Sequence, residues 1–216
     1  MIEYIVPTNI DDRVLARAAR LLTEGGLIAI PSDTSWLIGC SFLSREGLKK
    51  LRRLASSTIR AETEEPVKED RHFTLLCSDI SQFGEFCSLD NTRFRLLKRL
   101  SPGPYVFILN TLLGTEKALQ LRRGEIGVRL PDHPLPRALI KALGTPLYSV
   151  TARKSMAGVE DELDELFEGG WELEAIEGLD LILDTGDERP LIHTTVLDLR
   201  GDEVIPLRLG AGVWPV

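Results

Sequence analysis

Gly25-Gly26-Leu27-Ile28-Ala29-Ile30-Pro31-Ser32-Asp33-Thr34 is the stretch on which the fold turns. Two glycines close the preceding segment, four apolar residues follow, and a proline ends the run before a turn of small polar residues. The run is short and uniformly apolar, so it reads as a buried strand ending at Pro31. Just upstream, Asp11 and Asp12 are candidate helix caps, and Val14, Ala18, Leu21 and Leu22 recur at helical spacing. A helix that hands over to a buried strand is the building unit of an α/β protein.

Working outward, the spacing predicts a second helix over about 44–54, with Leu48, Leu51 and Leu54 on one face. Strands are predicted over 73–77, 105–109, 127–130 and 147–150, and later over 179–183, 195–199 and 204–207. Helices are predicted after Asp79, over about 92–100, and over 134–143, where proline opens the first turn and Gly144 follows the end. The acidic segment 159–168 reads as a helix with a solvated face. The segment 56–71, polar and rich in both charges, reads as a mobile surface loop. The last two strands lie close enough in sequence to pair antiparallel. The fold class is therefore α/β, with a mixed parallel/antiparallel sheet and surrounding helices.

Composition narrows the function classes. The 216 residues are 43% apolar and 27% charged, which suits one soluble domain over 1–216 and excludes a disordered chain. Acids outnumber bases 33 to 26, for a net charge of -7. That balance argues against wholesale binding to nucleic acid or to an anionic membrane, while leaving room for a local basic pocket. Cys40, Cys77 and Cys87 form no C-x-x-C pair, so reduced thiols are expected, without a disulfide framework or zinc ribbon. No apolar run is long enough to span a bilayer, and a cytoplasmic location is expected.

Four stretches carry candidate chemistry. Ser32 and Thr34 follow a buried strand, where open α/β sheets bind ligands; the same stretch also fits an ordinary strand-to-turn connection with a local cap. Arg129, in Gly127-Val128-Arg129-Leu130-Pro131-Asp132-His133-Pro134, sits among apolar neighbours and needs an anionic partner from the protein or a ligand. Asp132 is a candidate cap for the helix that follows, and His133, with no metal partners nearby, reads as structural. In Tyr148-Ser149-Val150-Thr151-Ala152-Arg153-Lys154-Ser155, hydroxyls alternate along a strand and two cations follow, as in an anion cradle or a wet strand edge. Arg208-Leu209-Gly210-Ala211-Gly212 lacks the lysine and the spacing of a nucleotide P-loop. No Ser-His-Asp order, metal-binding helix or dinucleotide fingerprint is present, and no metal ligands are assigned.

Taken in order, these stretches resemble the YrdC/YciO family, which includes threonylcarbamoyl-AMP synthases. The resemblance runs from about residue 10 to 212. It is carried by 22–34, by His72-Phe73-Thr74-Leu75-Leu76-Cys77, by Ser101-Pro102-Gly103-Pro104-Tyr105-Val106-Phe107-Ile108-Leu109, and above all by 127–134. The His72 block and Asp90-Asn91-Thr92-Arg93-Phe94-Arg95 lean towards the YciO branch. The resemblance implies one twisted mixed sheet around a large concave, positively charged cavity. It also implies a reaction: L-threonine and bicarbonate form a carbamate that attacks the α-phosphate of ATP, with Mg2+ assisting and pyrophosphate leaving, in the service of tRNA adenosine modification. RNA is a further partner associated with the family.

Carried over residue by residue, Ser32, Thr34 and Arg129 fall on substrate positions, and Ser149, Thr151, Arg153, Thr194 and Arg208 on the nucleotide side. Two departures stand out. The Lys-x-Arg pair of the synthases is replaced by Ala55 and Ser57, and their Ser-x-Asn by Thr151 and Arg153. The resemblance thus leaves a divergent synthase and a non-catalytic nucleotide- or RNA-binding paralogue as alternatives. In a divergent synthase, Arg153, or Arg60, Lys68 and Arg71, would have to supply the missing charge.

Overall fold

A computed structural model of the chain describes residues 1–57, 73–115, 118–119, 124–158 and 165–215. After a short first strand, β1 (Ile2–Tyr4), comes helix α1 (Asp12–Thr23). Asp11 caps it by accepting the Arg13 N–H at 2.8 Å, and Leu15, Ala18, Ala19 and Leu22 form its buried stripe. The helix is ended by Gly25, whose φ of 88° a side chain would strain. β2 (Ile28–Pro31) follows, buried at all four positions as predicted. The Ser32–Ser35 turn then reverses the chain into β3 (Trp36–Ser41), antiparallel to β2 and likewise buried throughout.

The remaining elements are α2 (Arg45–Ser57), β4 (Thr74–Leu76), α3 (Ser81–Phe86), α4 (Asn91–Leu100), β5 (Tyr105–Asn110), β6 (Glu125–Arg129), α5 (Pro134–Leu143), β7 (Leu147–Thr151), β8 (Leu181–Asp184), β9 (Thr195–Asp198) and β10 (Ile205–Arg208). Three expectations change. α2 runs past residue 54 to Ser57, so positions 56 and 57, expected in the surface loop, belong to its last turn. α5 is capped by His133, whose Nδ1 accepts the Leu135 N–H at 3.3 Å, and not by Asp132. The described part of the expected 159–168 helix, residues 165–168, is extended. There Leu166 bridges to Arg153, and the Lys154 N–H donates to the Glu165 carbonyl at 2.9 Å, so the backbone pairs with the segment after β7 instead of along a helix. Positions 58–71 of the expected loop, with Arg60, Lys68 and Arg71, lie outside the described residues, as do His72 and 159–164.

The strands form one mixed sheet in the order β1-β8-β2-β3-β7-β4-β6-β5-β9-β10. β1 and β2 run parallel to β8, β4 to β6 and β5 to β9; the other neighbours are antiparallel, including the β9–β10 pair expected from sequence. One face is sealed by α2, α3 and α4, which pack Leu48, Leu51, Phe83 and Leu97 against Ile38, Leu75, Phe107, Val128 and Tyr148. On the opposite face α1 and α5 cover only part of the sheet, through Leu15, Leu22, Leu135 and Leu139 against Ile28, Ile30, Leu37, Leu76 and Leu147. Where those two helices stop, a concavity begins on the same face.

Candidate functional site

The concavity is a cavity of about 380 Å³, within the size range of small-molecule sites. Leu37 and Leu76 belong both to its wall and to the core under α1 and α5, so they mark its edge. Its floor is set by cross-strand register. Ile108 of β5, Gly127 of β6, Thr74 of β4 and Ser149 of β7 lie side by side in one row, and all four line the cavity. Small residues in this row keep the floor low. A Cβ at Gly127 would come within 3.2 Å of Val106 Cγ1 and 3.4 Å of Ile108 Cδ1.

Among the described residues, the charged groups that line it are Arg129, Arg153 and Arg208, and no carboxylate joins them. Arg129 ends β6 and is buried, which makes its charge costly without partners. Nη2 donates to Asp33 Oδ1 at 2.6 Å and to Thr34 Oγ1 at 3.1 Å. Burial lowers the Arg129 pKa, the Asp33 carboxylate opposes that shift, and the charge of Arg208 adds to the lowering. The arginines are thus close enough to repel each other in the absence of an anion. Arg208 ends β10 and is oriented by Thr194, whose carbonyl accepts from Nε at 2.9 Å and whose Oγ1 accepts from Nη2 at 2.8 Å. Thr194 also lines the cavity.

The Ser32–Ser35 turn supports Arg129 from behind. Ser32 Oγ donates to the Ser35 carbonyl at 2.7 Å and lies 3.2 Å from Thr34 Oγ1, with both hydroxyls buried. Ser32 and Thr34 therefore sit beneath the guanidinium rather than on the wall of this cavity. Ser149, Thr151, Arg153, Thr194, Arg208 and Arg129 all come together on that wall. Ser149 Oγ donates to the Thr74 carbonyl at 3.2 Å, leaving its lone pairs to accept. Lys154, the second cation of the same stretch, faces Glu165 and Glu172 instead.

Ala55 also lines the cavity, so the departure from the synthase pattern lies at the site itself. His133 is a buried cap whose pKa burial and Arg189 lower to about 4, so it is a neutral structural histidine. Burial raises all three cysteine thiols, Cys40 and Cys87 to about 12, and all three are free thiols.

Two residues of the site escape sequence reasoning. Asp33 is the ion-pair partner of Arg129, and only the unmet charge of a buried arginine could have pointed to it. Arg189 donates to the Ser32 carbonyl across 157 residues, and no local pattern signals it. Among the described residues no three or more His, Cys, Asp or Glu gather into a possible metal site. With no carboxylate among the described lining residues, the cavity does not fit a resident magnesium, which takes one or two carboxylates beside phosphate oxygens.

Fold and site together define a mixed-sheet α/β protein with an arginine-lined cavity over its half-covered face. The chain belongs to the Sua5/YciO/YrdC family, whose model, described as "Telomere recombination", matches residues 20–210. It is similar to the uncharacterized protein YciO of Escherichia coli (strain K12), with 30% identity over 212 residues covering 97% of this chain and 95% of that protein. The crystal structure of E. coli YciO matches with a TM-score of 0.81 at 28% identity, over 99% of this chain and 97% of that one. A threonylcarbamoyl-AMP synthase of Shigella flexneri is 28% identical over 152 residues, 68% of this chain and 74% of the synthase. P. abyssi Sua5 complexed with L-threonine matches with a TM-score of 0.79 over 97% of this chain and 57% of that one; its 22% identity carries the fold alone. Among the described residues no helix is long and apolar enough to cross a membrane.

Proposed function

We propose that the cavity binds an adenine nucleotide, ATP or AMP, with Arg153 and Arg208 around its phosphates, the hydroxyls of Ser149, Thr151 and Thr194 beside them, and Arg129 on the side of a second, smaller substrate. The observation that carries this reading is the convergence of three arginines and three hydroxyls on one cavity, with no carboxylate among its described lining residues. Guanidinium forks match phosphate oxygens, and hydroxyls complete the hydrogen bonding. An amino acid such as L-threonine fits beside the nucleotide. The buried Arg129 Nε and Asp33 Oδ2 each lack a hydrogen-bond partner among the described residues. One is a cationic donor and the other an anionic acceptor, and a zwitterion brings the carboxylate and ammonium that complete both.

Similarity to a threonylcarbamoyl-AMP synthase supports the same ligand set, with bicarbonate as third substrate and tRNA modification as the setting. Ala55 on the cavity wall favours a second reading for the chemistry: binding without synthesis. A charge-assisted hydrogen bond from either cation of a Lys-x-Arg pair would be worth on the order of 1.5–3 kcal/mol, and a transition state rich in phosphate charge feels its absence most. Arg153 restores one cation on the wall.

Calorimetry with AMP, ATP, L-threonine and a short RNA tests the binding, and pyrophosphate release from ATP, L-threonine, bicarbonate and magnesium tests synthesis. Binding of AMP or ATP is expected. Absence of heat and of thermal shift with both nucleotides overturns the reading. Threonine-dependent pyrophosphate release makes the protein a divergent synthase; RNA binding without nucleotide binding moves the ligand to another class.

A further inference from the structure

The segment that joins β8 to β9, residues 185–194, passes behind the site, and its middle holds a buried cation outside the cavity wall. Arg189 has a side chain 4% exposed. Its guanidinium is spent on backbone: Nη1 donates to the Ser32 carbonyl at 2.9 Å, while Nε and Nη2 donate to the Asp187 carbonyl at 3.1 and 2.9 Å. Beside it, the Ile192 N–H reaches the Thr34 carbonyl at 3.4 Å, and Leu191 takes a φ of 53°, uncommon for a branched residue. Asp187, Asp184 and Asp33 are near enough to favour its charge. The same segment ends in Thr194, which orients Arg208, so one length of chain holds both halves of the site.

We propose that Arg189 is a positioning residue: by tying the segment 185–194 to the Ser32 carbonyl, it fixes the turn that presents Asp33 and Thr34 to Arg129, and so shapes the place where an amino-acid zwitterion docks. The inference rests on the amino-acid reading given above. Three features make the turn depend on it. Ser32 is buried, so its carbonyl has no water to replace the guanidinium. The bonds from Ser32 Oγ to Ser35 and Thr34 are internal to the turn, so among the described residues its outside ties, besides the contacts with Arg129 itself, come from segment 185–194: the Arg189 fork and the longer Ile192 N–H bond. Asp33 pairs with Arg129 at 2.6 Å and lies within electrostatic reach of Arg189, so the turn that carries it sits between the two arginines.

The nucleotide side has its own anchors. Thr195 Oγ1 donates to the Gly212 carbonyl at 2.6 Å and accepts the Gly210 N–H at 2.9 Å, and the Ala211 N–H donates to the His193 carbonyl at 2.9 Å. Loosening the middle of the segment therefore leaves Thr194 and Arg208 in place.

The test compares the full chain with Arg189→Met and Arg189→Lys by calorimetry with L-threonine and, separately, AMP. It adds phenylglyoxal labelling of Arg129 read by mass spectrometry. For Arg189→Met, L-threonine affinity is expected to fall about tenfold, the order expected when one charge-assisted hydrogen bond behind a site is removed, with AMP affinity within about twofold of the parent. Arg129 should label faster in the variant, and Arg189→Lys, which keeps the charge but not the fork, should lie between. If Arg189→Met does not fold by circular dichroism, the lysine variant carries the same comparisons. Unchanged L-threonine affinity, equal loss of both ligands, or unchanged Arg129 labelling overturns the proposal. If the parent binds AMP but no L-threonine, the amino-acid reading fails first; labelling of Arg129 still decides whether Arg189 holds the turn.

Discussion

Asp33→Asn is the perturbation that probes the core of the site most directly. It leaves the Arg129 guanidinium, 2% exposed, facing a neutral amide. Removing one partner of a buried ion pair costs roughly 3–5 kcal/mol, because the remaining charge stays buried. Two features place this site at the lower end. Thr34 Oγ1 still accepts from Nη2, and the asparagine carbonyl still offers a neutral acceptor. A loss of about 3 kcal/mol corresponds to a Tm decrease of roughly 6–12 °C for a chain of this size. Arg129→Met should cost less at this contact, since Asp33 is 14% exposed and its carboxylate can regain some water. The double variant should then resemble Arg129→Met alone, with a coupling of about 3 kcal/mol, the size of the Asp33→Asn loss. Urea and thermal unfolding of the four proteins, followed by circular dichroism at one pH and ionic strength, measure the cycle. An Asp33→Asn protein that melts within about 1 °C of the parent, or a double variant whose losses simply add, would refute the pairing and with it the zwitterion argument.

Three further outcomes are expected. His133 is held neutral, with its pKa lowered to about 4. The unfolded chain takes up a proton near pH 6.5 that the folded chain resists, so stability falls as pH drops from about 6.5 towards 4, by on the order of 3 kcal/mol in all. His133→Asn keeps a capping side chain and should flatten the urea midpoint over that window; an unchanged slope assigns the pH dependence elsewhere. Ala55→Lys puts a cation back on the cavity wall and should tighten ATP binding about tenfold at low salt and less at high salt, measured by calorimetry; unchanged affinity means the wall does not meet the phosphates. Gly210→Ala would drive a Cβ into the His193 carbonyl oxygen and the Thr194 backbone, which cannot swing aside, and should lower stability by roughly 1–3 kcal/mol in urea unfolding. A neutral result there would mean that the 208–212 segment is loosely held.

Elements are legible in the sequence where punctuation and periodicity coincide. α1, β2 and α5 are framed by Asp11, Gly25, Pro31, Pro134 and Gly144, and all three form close to where those residues place them. β3 escapes the sequence because both of its faces are buried, so Trp36 to Ser41 shows no alternation to separate it from the preceding turn. The helix expected over 159–168 rests on charge composition, and its described end obeys a backbone pairing with Arg153 that composition does not encode. The site divides the same way. Arg129, Arg208 and the hydroxyls are found through family resemblance, since strand ends rich in Ser, Thr and Arg are also ordinary polar edges. Asp33 lies between two candidate residues, yet its importance depends on register with β6, which only the fold supplies.

The negative chain and the positive cavity are reconciled by where the acids go. On the open face, alternation along β4, β6 and β7 presents Thr74, Gly127, Arg129, Ser149 and Thr151 to the cavity. The acids of the neighbouring strands are consumed elsewhere: Glu125 and Asp198 both pair with Arg200, and Asp33 meets Arg129 from the turn behind. A sheet built this way needs no net positive charge to make a cationic cavity; it needs only that no carboxylate join the arginines on the cavity wall. Burial lowers the Arg129 pKa, with a smaller contribution from Arg208, and an anion drawn to the cavity would favour the charged guanidinium against both. Binding and catalysis then separate physically. Three arginines suffice to hold an anion, whereas stabilising charge as it moves onto a leaving pyrophosphate requires further cations placed for that purpose. On the wall where the resemblance to the synthases calls for such a cation, this chain carries Ala55.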